Sequence, residues 1–261
     1  MPDVSALLLA AGLGTRLRPY TEHWPKCLMP INGRPLLEYW FSILHEANIK
    51  DVLVNLHYHA GIVREFLKRP YIDSGVNSIY ENELLGTAGT LRKNAEHLNG
   101  KTTLLIHADN LCCCDFTKFL DFHHNDRPEG SLMTMMVFES LKPSACGIVE
   151  LDANGIVQKF HEKVKNPPGN LANAAVYILE PEILEWILEH PEVSDFSTEV
   201  LPHLLGKIAT WKNEGVLRDI GTIEMLRDAQ NDKCKLPLWP EDTWHKNFMA
   251  NPIHQQILIN I

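Results

Sequence analysis

The feature that most constrains this chain is the alternation of short apolar runs with helically spaced segments up to Asp109. "VSALLLAA" (Val4–Ala11), "DVLVNL" (Asp51–Leu56), "NSIYEN" (Asn77–Asn82) and "TTLLIHA" (Thr102–Ala108) read as strands. Between them, "PLLEYWFSILHEANI" (Pro35–Ile49), "GIVREFLKR" (Gly61–Arg69) and "TAGTLRKNAEHL" (Thr87–Leu98) carry helical spacing, the first with a proline near its first turn. Such alternation predicts right-handed βαβ units and a mostly parallel twisted sheet, with ligands gathered at the carboxyl ends of its strands. Beyond the midpoint the pattern changes. "SLMTMMVF" (Ser131–Phe138), "GIVELD" (Gly147–Asp152), "IVQKFHEK" (Ile156–Lys163) and "NAAVYIL" (Asn173–Leu179) predict an antiparallel extension forming a second wall, with a turn at Asn154-Gly155.

Helices are expected over Pro181–Glu189 and Ser197–Leu205. "ATWKNEGVLRDIG" (Ala209–Gly221) then returns as strands before a helix through Gln230. The remaining stretch has no clear period, so the expectation is one domain over 1–231 and a C-terminal tail over 232–261. The tail is read as cover for the cleft or for the interface of a homodimer.

At 261 residues the chain is long enough for a well-buried core, and its net charge of −9 leaves no basic excess to neutralise a nucleic-acid backbone. A polyanionic ligand therefore needs a local cluster of cations, helped by a metal ion. The apolar start lacks a basic n-region and runs into a glycine loop, so it reads as a first strand rather than a leader. No run approaches a membrane span. Six cysteines, three of them consecutive at Cys112–Cys114, show neither a disulfide framework nor a CxxC pair, and a reduced cytoplasmic setting is expected.

The first strand opens into "GLGTRLRPYTEHWPK", which presents Thr15, Arg16, Arg18 and, behind a proline, Lys26. A dinucleotide GxGxxG would need glycine at Leu17, and a P-loop would need a closing GK[ST]; neither is present. What remains is a loop whose backbone N–H groups form an anion-binding concavity beside an arginine fork and a lysine point charge. That combination suits a di- or triphosphate. A strand–helix turn with solvated basic residues is the plain alternative for GxG alone, and Arg16 and Lys26 at this spacing outweigh it.

The stretch "LLAAGLGTRLRPYTEHWPKCLMPINGRPLLEY" resembles the G-x-G-T-R-x-P-K signature of the sugar-1-phosphate nucleotidyltransferases, and the likeness extends to about Gln230. "ENELLGTAGTL" resembles the family's base-binding segment, "IHADNL" its metal-binding strand, "FHEK" its sugar-phosphate motif, "NAAVYIL" its sugar-contacting strand and "RDIGT" its second metal aspartate. The resemblance implies a Rossmann-like, glycosyltransferase-A-like α/β fold. It implies nucleotide binding by Ala10, Gly12, Gly14, Thr15, Arg16, Glu81, Gly86 and Thr87. Glu162, Lys163 and Asn173 would hold the sugar phosphate, and Asp109 and Asp219 would hold Mg²⁺. Arg16, Lys26 and the two aspartates would form the catalytic set. No side chain is expected to serve as nucleophile or general base.

Other readings of these residues stay open. Asp109 and Asp219 could be helix N-caps, and Glu162–Lys163 an exposed pair. His57 and His59 could form an HxH metal site, although a surface turn suits them better; His107 reads as a packed histidine, the cysteine run as small side chains near the cleft, and Met133, Met135 and Met136 as core. Glu81 suggests guanine, because one carboxylate can accept both N1–H and the exocyclic amine, whereas an amide suits uracil or thymine. The expected reaction is therefore guanylyl transfer from GTP to mannose 1-phosphate or a manno-heptose 1-phosphate. A uridylyltransferase acting on an amino-sugar or muramic-acid phosphate is the alternative, and a non-catalytic nucleotide-sugar-binding subunit the alternative of another class. Two departures from the family stand out: Ala10-Ala11-Gly12 lacks an additional glycine, and Ala174 stands where "NAG" is usual. No left-handed β-helix portion is present, so acetyl transfer is not expected.

Overall fold

The computed structural model describes residues 4–72, 74–237 and 239–259. Its strands are β1 (Val4–Leu9), β2 (Pro30–Ile31), β3 (Arg34–Pro35), β4 (Asp51–Leu56), β5 (Val76–Tyr80), β6 (Thr102–His107) and β7 (Asn110–Cys113). They continue as β8 (Met133–Glu139), β9 (Gly147–Leu151), β10 (Val157–Glu162), β11 (Leu171–Leu179), β12 (Ile208–Lys212) and β13 (Val216–Asp219). The helices are α1 (Leu36–Glu46), α2 (Ala60–Leu67), α3 (Thr87–Lys93), α4 (Ala95–Leu98), α5 (Phe116–Asp121), α6 (Pro181–Glu189), α7 (Ile223–Ala229), α8 (Thr243–Met249) and α9 (Pro252–Ile259). The expected mixed α/β class holds, and none of the described helices is long and apolar enough to cross a membrane.

The chain divides into two compact units. Of the described residues, one comprises those within 4–7, Leu85–Ile106 and Asp115–Glu214; the other comprises those within 8–84, His107–Cys114 and 215–259. In the first unit the strand order is β10-β9-β11-β6-β1, and β8 lies against both β11 and β12. β11 runs antiparallel to β6, β8 and β9, whereas β12 joins β8 in parallel. Met133, Met135 and Met136 are fully buried, as their strand reading requires. The β11–β8 register slips between Asn173 and Tyr177, a bulge that opens the middle of β11. The helix expected over Ser197–Leu205 is a single π-helical turn over Phe196–Val200 followed by a 3₁₀ segment, Leu201–Leu204. Pro202, lacking an N–H, denies a regular helix its bond there.

In the second unit, β4 pairs with β5 in parallel from Val52↔Val76 to Leu56↔Tyr80. β13 and β7 form an antiparallel ribbon with Asp219 opposite Asn110. The aperiodic tail carries two helices that the sequence reading did not foresee. On α9, Ile253 and Ile257 join Leu17, Tyr20, Met29 and Ile220 in one buried cluster. Arg69 holds the tail from the other side: its Nε donates to Asp242 Oδ2 at 2.7 Å, and its guanidinium lies 5.0 and 5.1 Å from the ring centroids of Trp239 and Trp244.

The cysteine expectation needs correction. Cys113 of β7 is disulfide-bonded to Cys234, with Cα atoms 5.6 Å apart across a sequence separation of 121. Spacing arguments detect local frameworks, and this pair is brought together only by the docking of the tail.

Candidate active site

The second unit builds a cationic and acidic cluster around the glycine loop. After β1 the chain runs from Ala10 to Gly14 and into a 3₁₀ turn, Thr15–Leu17, anchored by the fully buried Leu17. Gly14 has φ +61°, and a Cβ there would stand 2.7 Å from Thr21 Cγ2 and 3.1 Å from Lys26 Cβ. Glycine is thus demanded both by backbone and by space. The Thr21 hydroxyl donates to the Gly14 carbonyl at 2.8 Å, closing the loop toward Lys26. Gly12 has open space where a side chain would stand, and Gly12, Thr15 and Arg16 are exposed.

Lys26 follows Pro25 at the start of a 3₁₀ turn, and its side chain is only 7% exposed. Its Nζ lies 2.6 Å from Asp109 Oδ2 and 3.5 Å from Asp219 Oδ1. Arg16 Nη2 reaches Asp219 Oδ2 at 3.8 Å from a side chain 67% exposed. The two aspartates come from the β6–β7 turn and the end of β13, brought together by the β13–β7 register. Burial pushes the Asp109 carboxyl up, but Lys26, His107 and the Lys26 hydrogen bond outweigh it and hold the carboxyl below the usual carboxylate range. Neither aspartate is a helix cap. Asp109 precedes a strand, and α7 is capped by Thr222, whose hydroxyl accepts from Met225 N–H.

Gly221 is a site residue that the sequence reading passed over. A Cβ there would lie 2.5 Å from Asp219 Oδ2 and 2.7 Å from Arg16 Nη2, so any larger residue would displace both side-chain ends from where they now meet. Among the described residues no group of three or more His, Cys, Asp or Glu side chains is arranged to hold a metal. His57 and His59 turn to separate carbonyls, those of Glu81 and Thr21. The Asp109–Asp219 pair fits a hard cation that takes few protein carboxylates and completes its shell with phosphate oxygens and water.

Glu81 lies in the same unit, just past β5, and is 1% exposed. Its backbone N–H donates to Leu56 O at 2.8 Å, and its Oε1 accepts from Asn55 Nδ2 at 3.2 Å. Asn55 Oδ1 in turn accepts the Ala10 N–H at 2.7 Å. Ala10 and Glu81, far apart in sequence, are thereby linked through one buried amide that no motif points to.

The first unit holds the remaining predicted residues. Gly86 has φ +75° and would place a Cβ 2.4 Å from the Ser194 carbonyl, while Ala88 N–H donates to that carbonyl at 2.9 Å. The Thr87 hydroxyl accepts from Phe196 N–H at 2.6 Å. The start of α3 is thus pinned to Ser194–Phe196.

At the end of β10, Lys163 Nζ pairs with Glu162 Oε1 at 3.0 Å, and Lys163 adopts φ +48°. Asn173 donates from Nδ2 to the Tyr177 hydroxyl at 2.7 Å and accepts the Ala175 N–H at 2.9 Å. The alanine that departs from the family pattern is Ala175, not Ala174. Ala175 carries φ +55° within the β11 bulge, and Ala174 beside it is buried. Left-handed backbone at non-glycine residues is costly and concentrates at functional sites. Tyr177, also unforeseen, is fully buried; burial pushes its phenol up to about 12 against the opposing Asn173 hydrogen bond, so it stays neutral.

The chain matches the nucleotidyl transferase family over residues 5–235, and it belongs to that family. It is 32% identical over 227 residues to mannose-1-phosphate guanyltransferase 2 of Candida glabrata, covering 84% of this chain and 61% of that protein. It is also 32% identical over 227 residues to the mannose-1-phosphate guanylyltransferase of Mycobacterium tuberculosis, covering 85% and 62%. The chain thus spans about three fifths of the length of these relatives. Among solved structures, HddC from Yersinia pseudotuberculosis aligns with TM-score 0.73 at 28% identity, covering 88% of this chain and 98% of that one. A provisionally assigned glucose-1-phosphate thymidylyltransferase from Bacillus anthracis aligns with TM-score 0.77 at 19% identity, covering 93% and 99%, and bears on the fold alone.

Proposed function

We propose that this protein transfers a guanylyl group from GTP to mannose 1-phosphate or a manno-heptose 1-phosphate, with Mg²⁺, releasing pyrophosphate. The observation that carries this reading is Lys26, a buried ammonium in reach of Asp109 and Asp219, with Arg16 at the rim beside the glycine loop. The names of the mannose-1-phosphate guanylyltransferase relatives support the base and the sugar.

In the proposed reaction an oxygen of the sugar phosphate attacks the α-phosphorus. The bond to the α,β-bridging oxygen breaks, and pyrophosphate leaves with that electron pair. The attacking oxygen is already anionic, so no general base is needed. The work is neutralising charge and holding two anions in line. Arg16 grips the departing pyrophosphate and Lys26 meets the α-phosphate, where charge builds up. The bare backbone at Gly12 lets phosphate oxygens approach the loop. Asp109 and Asp219 are the residues that would hold Mg²⁺, which when bound supplies Lewis-acid neutralisation of phosphate oxygens. Lys163 receives the sugar phosphate, Glu162 and Asn173 bind sugar hydroxyls, and Glu81 accepts the two donors of guanine.

The test is pyrophosphate release with Mg²⁺, crossing GTP, UTP, dTTP, CTP and ATP with mannose, glucose, N-acetylglucosamine, muramic-acid and manno-heptose 1-phosphates. Turnover confined to GTP with a manno-configured sugar supports the proposal. Turnover with UTP and an amino sugar overturns the base and sugar assignment, and tight GTP binding without turnover anywhere in the grid favours a regulatory subunit.

A further inference from the structure

Asn55 sits on β4 with 4% of its surface exposed, between the entry to the glycine loop and the carboxyl of Glu81. Its orientation is dictated by chemistry. The Ala10 backbone N–H can only donate, so the atom facing it at 2.7 Å must be the amide oxygen. The nitrogen is thereby turned toward Glu81 Oε1, 3.2 Å away, where it can only donate. One rigid side chain therefore fixes the loop backbone and the carboxyl of Glu81 in a single register, and all three residues belong to the same compact unit.

Resting on the reading that Glu81 receives the base, we infer that Asn55 is a positioning residue for base selection. It presents Glu81 as a hydrogen-bond acceptor at a set distance from the loop that takes the phosphates. A purine presenting two adjacent donors on its Watson–Crick edge then satisfies base site and phosphate loop together. A pyrimidine presenting a donor flanked by acceptors does not.

A swap of the pair tests this. In the double variant Asn55→Asp/Glu81→Gln, the carboxylate now at position 55 keeps an acceptor for Ala10 and gains a donor from the amide now at position 81. The link is rebuilt with its polarity reversed. Calorimetric binding of GTP, UTP and inorganic tripolyphosphate, each with Mg²⁺, would be compared across wild type, Asn55→Ala, both single exchanges and the double variant. Melting temperatures would be followed alongside.

The expected result is that Asn55→Ala lowers the GTP-over-UTP preference about tenfold, the scale of one buried hydrogen bond. The double variant should recover the melting temperature and tripolyphosphate affinity that Asn55→Asp alone loses, while its preference moves toward UTP. Equal loss of GTP and UTP in every variant, in step with melting temperature, would reduce Asn55 to scaffolding and overturn the inference. A wild type that binds GTP and UTP equally would overturn the GTP reading instead. The positioning role alone would then be decided by the tripolyphosphate cycle, where coupling between positions 55 and 81 keeps Asn55 as the link that sets Glu81 against the loop and additivity removes it.

Discussion

The cluster around Lys26 in the second unit and the cluster around Tyr177 in the first achieve fixed geometry by different means. Around Lys26 the geometry is electrostatic: one buried ammonium is shared by two carboxylates, and Arg16 leans on the second from solvent. Around Tyr177 it is conformational: Lys163 and Ala175 hold left-handed backbone, a bulge interrupts β11, and a neutral phenol receives Asn173. Charges of opposite sign at contact distance need only side chains of the right type in the right loops. Strained backbone needs the surrounding sheet to enforce it. The first device should therefore fail abruptly when a charge is removed, and the second should degrade by small steps.

Substitutions can break this contrast. Replacing Lys26 by Met leaves Asp109 and Asp219 facing each other without their shared cation and removes the charge proposed to meet the α-phosphate. Turnover should fall about 10³-fold, measured as kcat in the pyrophosphate assay. Gly221→Ala pushes a methyl group against Asp219 and Arg16, and misplacement on that scale should lower kcat about 10²-fold with the sugar-phosphate KM unchanged.

On the other side, Tyr177→Phe removes the hydroxyl that receives Asn173, and the sugar-phosphate KM should rise about tenfold with kcat nearly constant. The same variant carries a pH signature. The native phenol is held up to about 12, so an unfolded chain loses that proton first, above ~10. Its contribution to stability is complete below that range and is lost as pH rises toward the native value. Denaturation curves between pH 9 and 12 should show this decline in the wild type and a shallower one in Tyr177→Phe. Ala175→Gly should have the smallest effect, a gain of about 1 kcal/mol in urea unfolding as left-handed strain is relieved. A loss of stability there would show that the bulge imposes no strain on Ala175.

The contrast also explains what could be read from the sequence. Strand–helix alternation and the paired basic residues of the glycine loop are local patterns, and they indicated the fold class and the loop cations Arg16 and Lys26, whereas the two aspartates came from the family resemblance. Asp109 and Asp219 could equally have been helix caps from spacing alone; the β13–β7 ribbon and the Thr222 cap separate the readings. Gly221 had no distinctive signal, because its importance lies in what would collide with a Cβ. Asn55 and Tyr177 looked like ordinary strand residues, since a buried amide or phenol shows its role only through partners distant in the chain. The tail escaped because its apolar residues are short of a full amphipathic pattern. Ile253 and Ile257 find their cluster only once Leu17 and Ile220 are in place.

Everything proposed for the phosphate side depends on the acidic pair flanking Lys26 serving metal-dependent nucleotidyl transfer rather than structure. The decisive experiment is pyrophosphate release from GTP and mannose 1-phosphate across a Mg²⁺ titration, for wild type and Asp109→Asn, with melting temperatures recorded in parallel. The expected outcome is saturable Mg²⁺ dependence in the wild type, and turnover lowered by about 10³-fold in a variant that still melts cooperatively. Undiminished turnover in Asp109→Asn, or in wild type stripped of divalent ions, would refute that role.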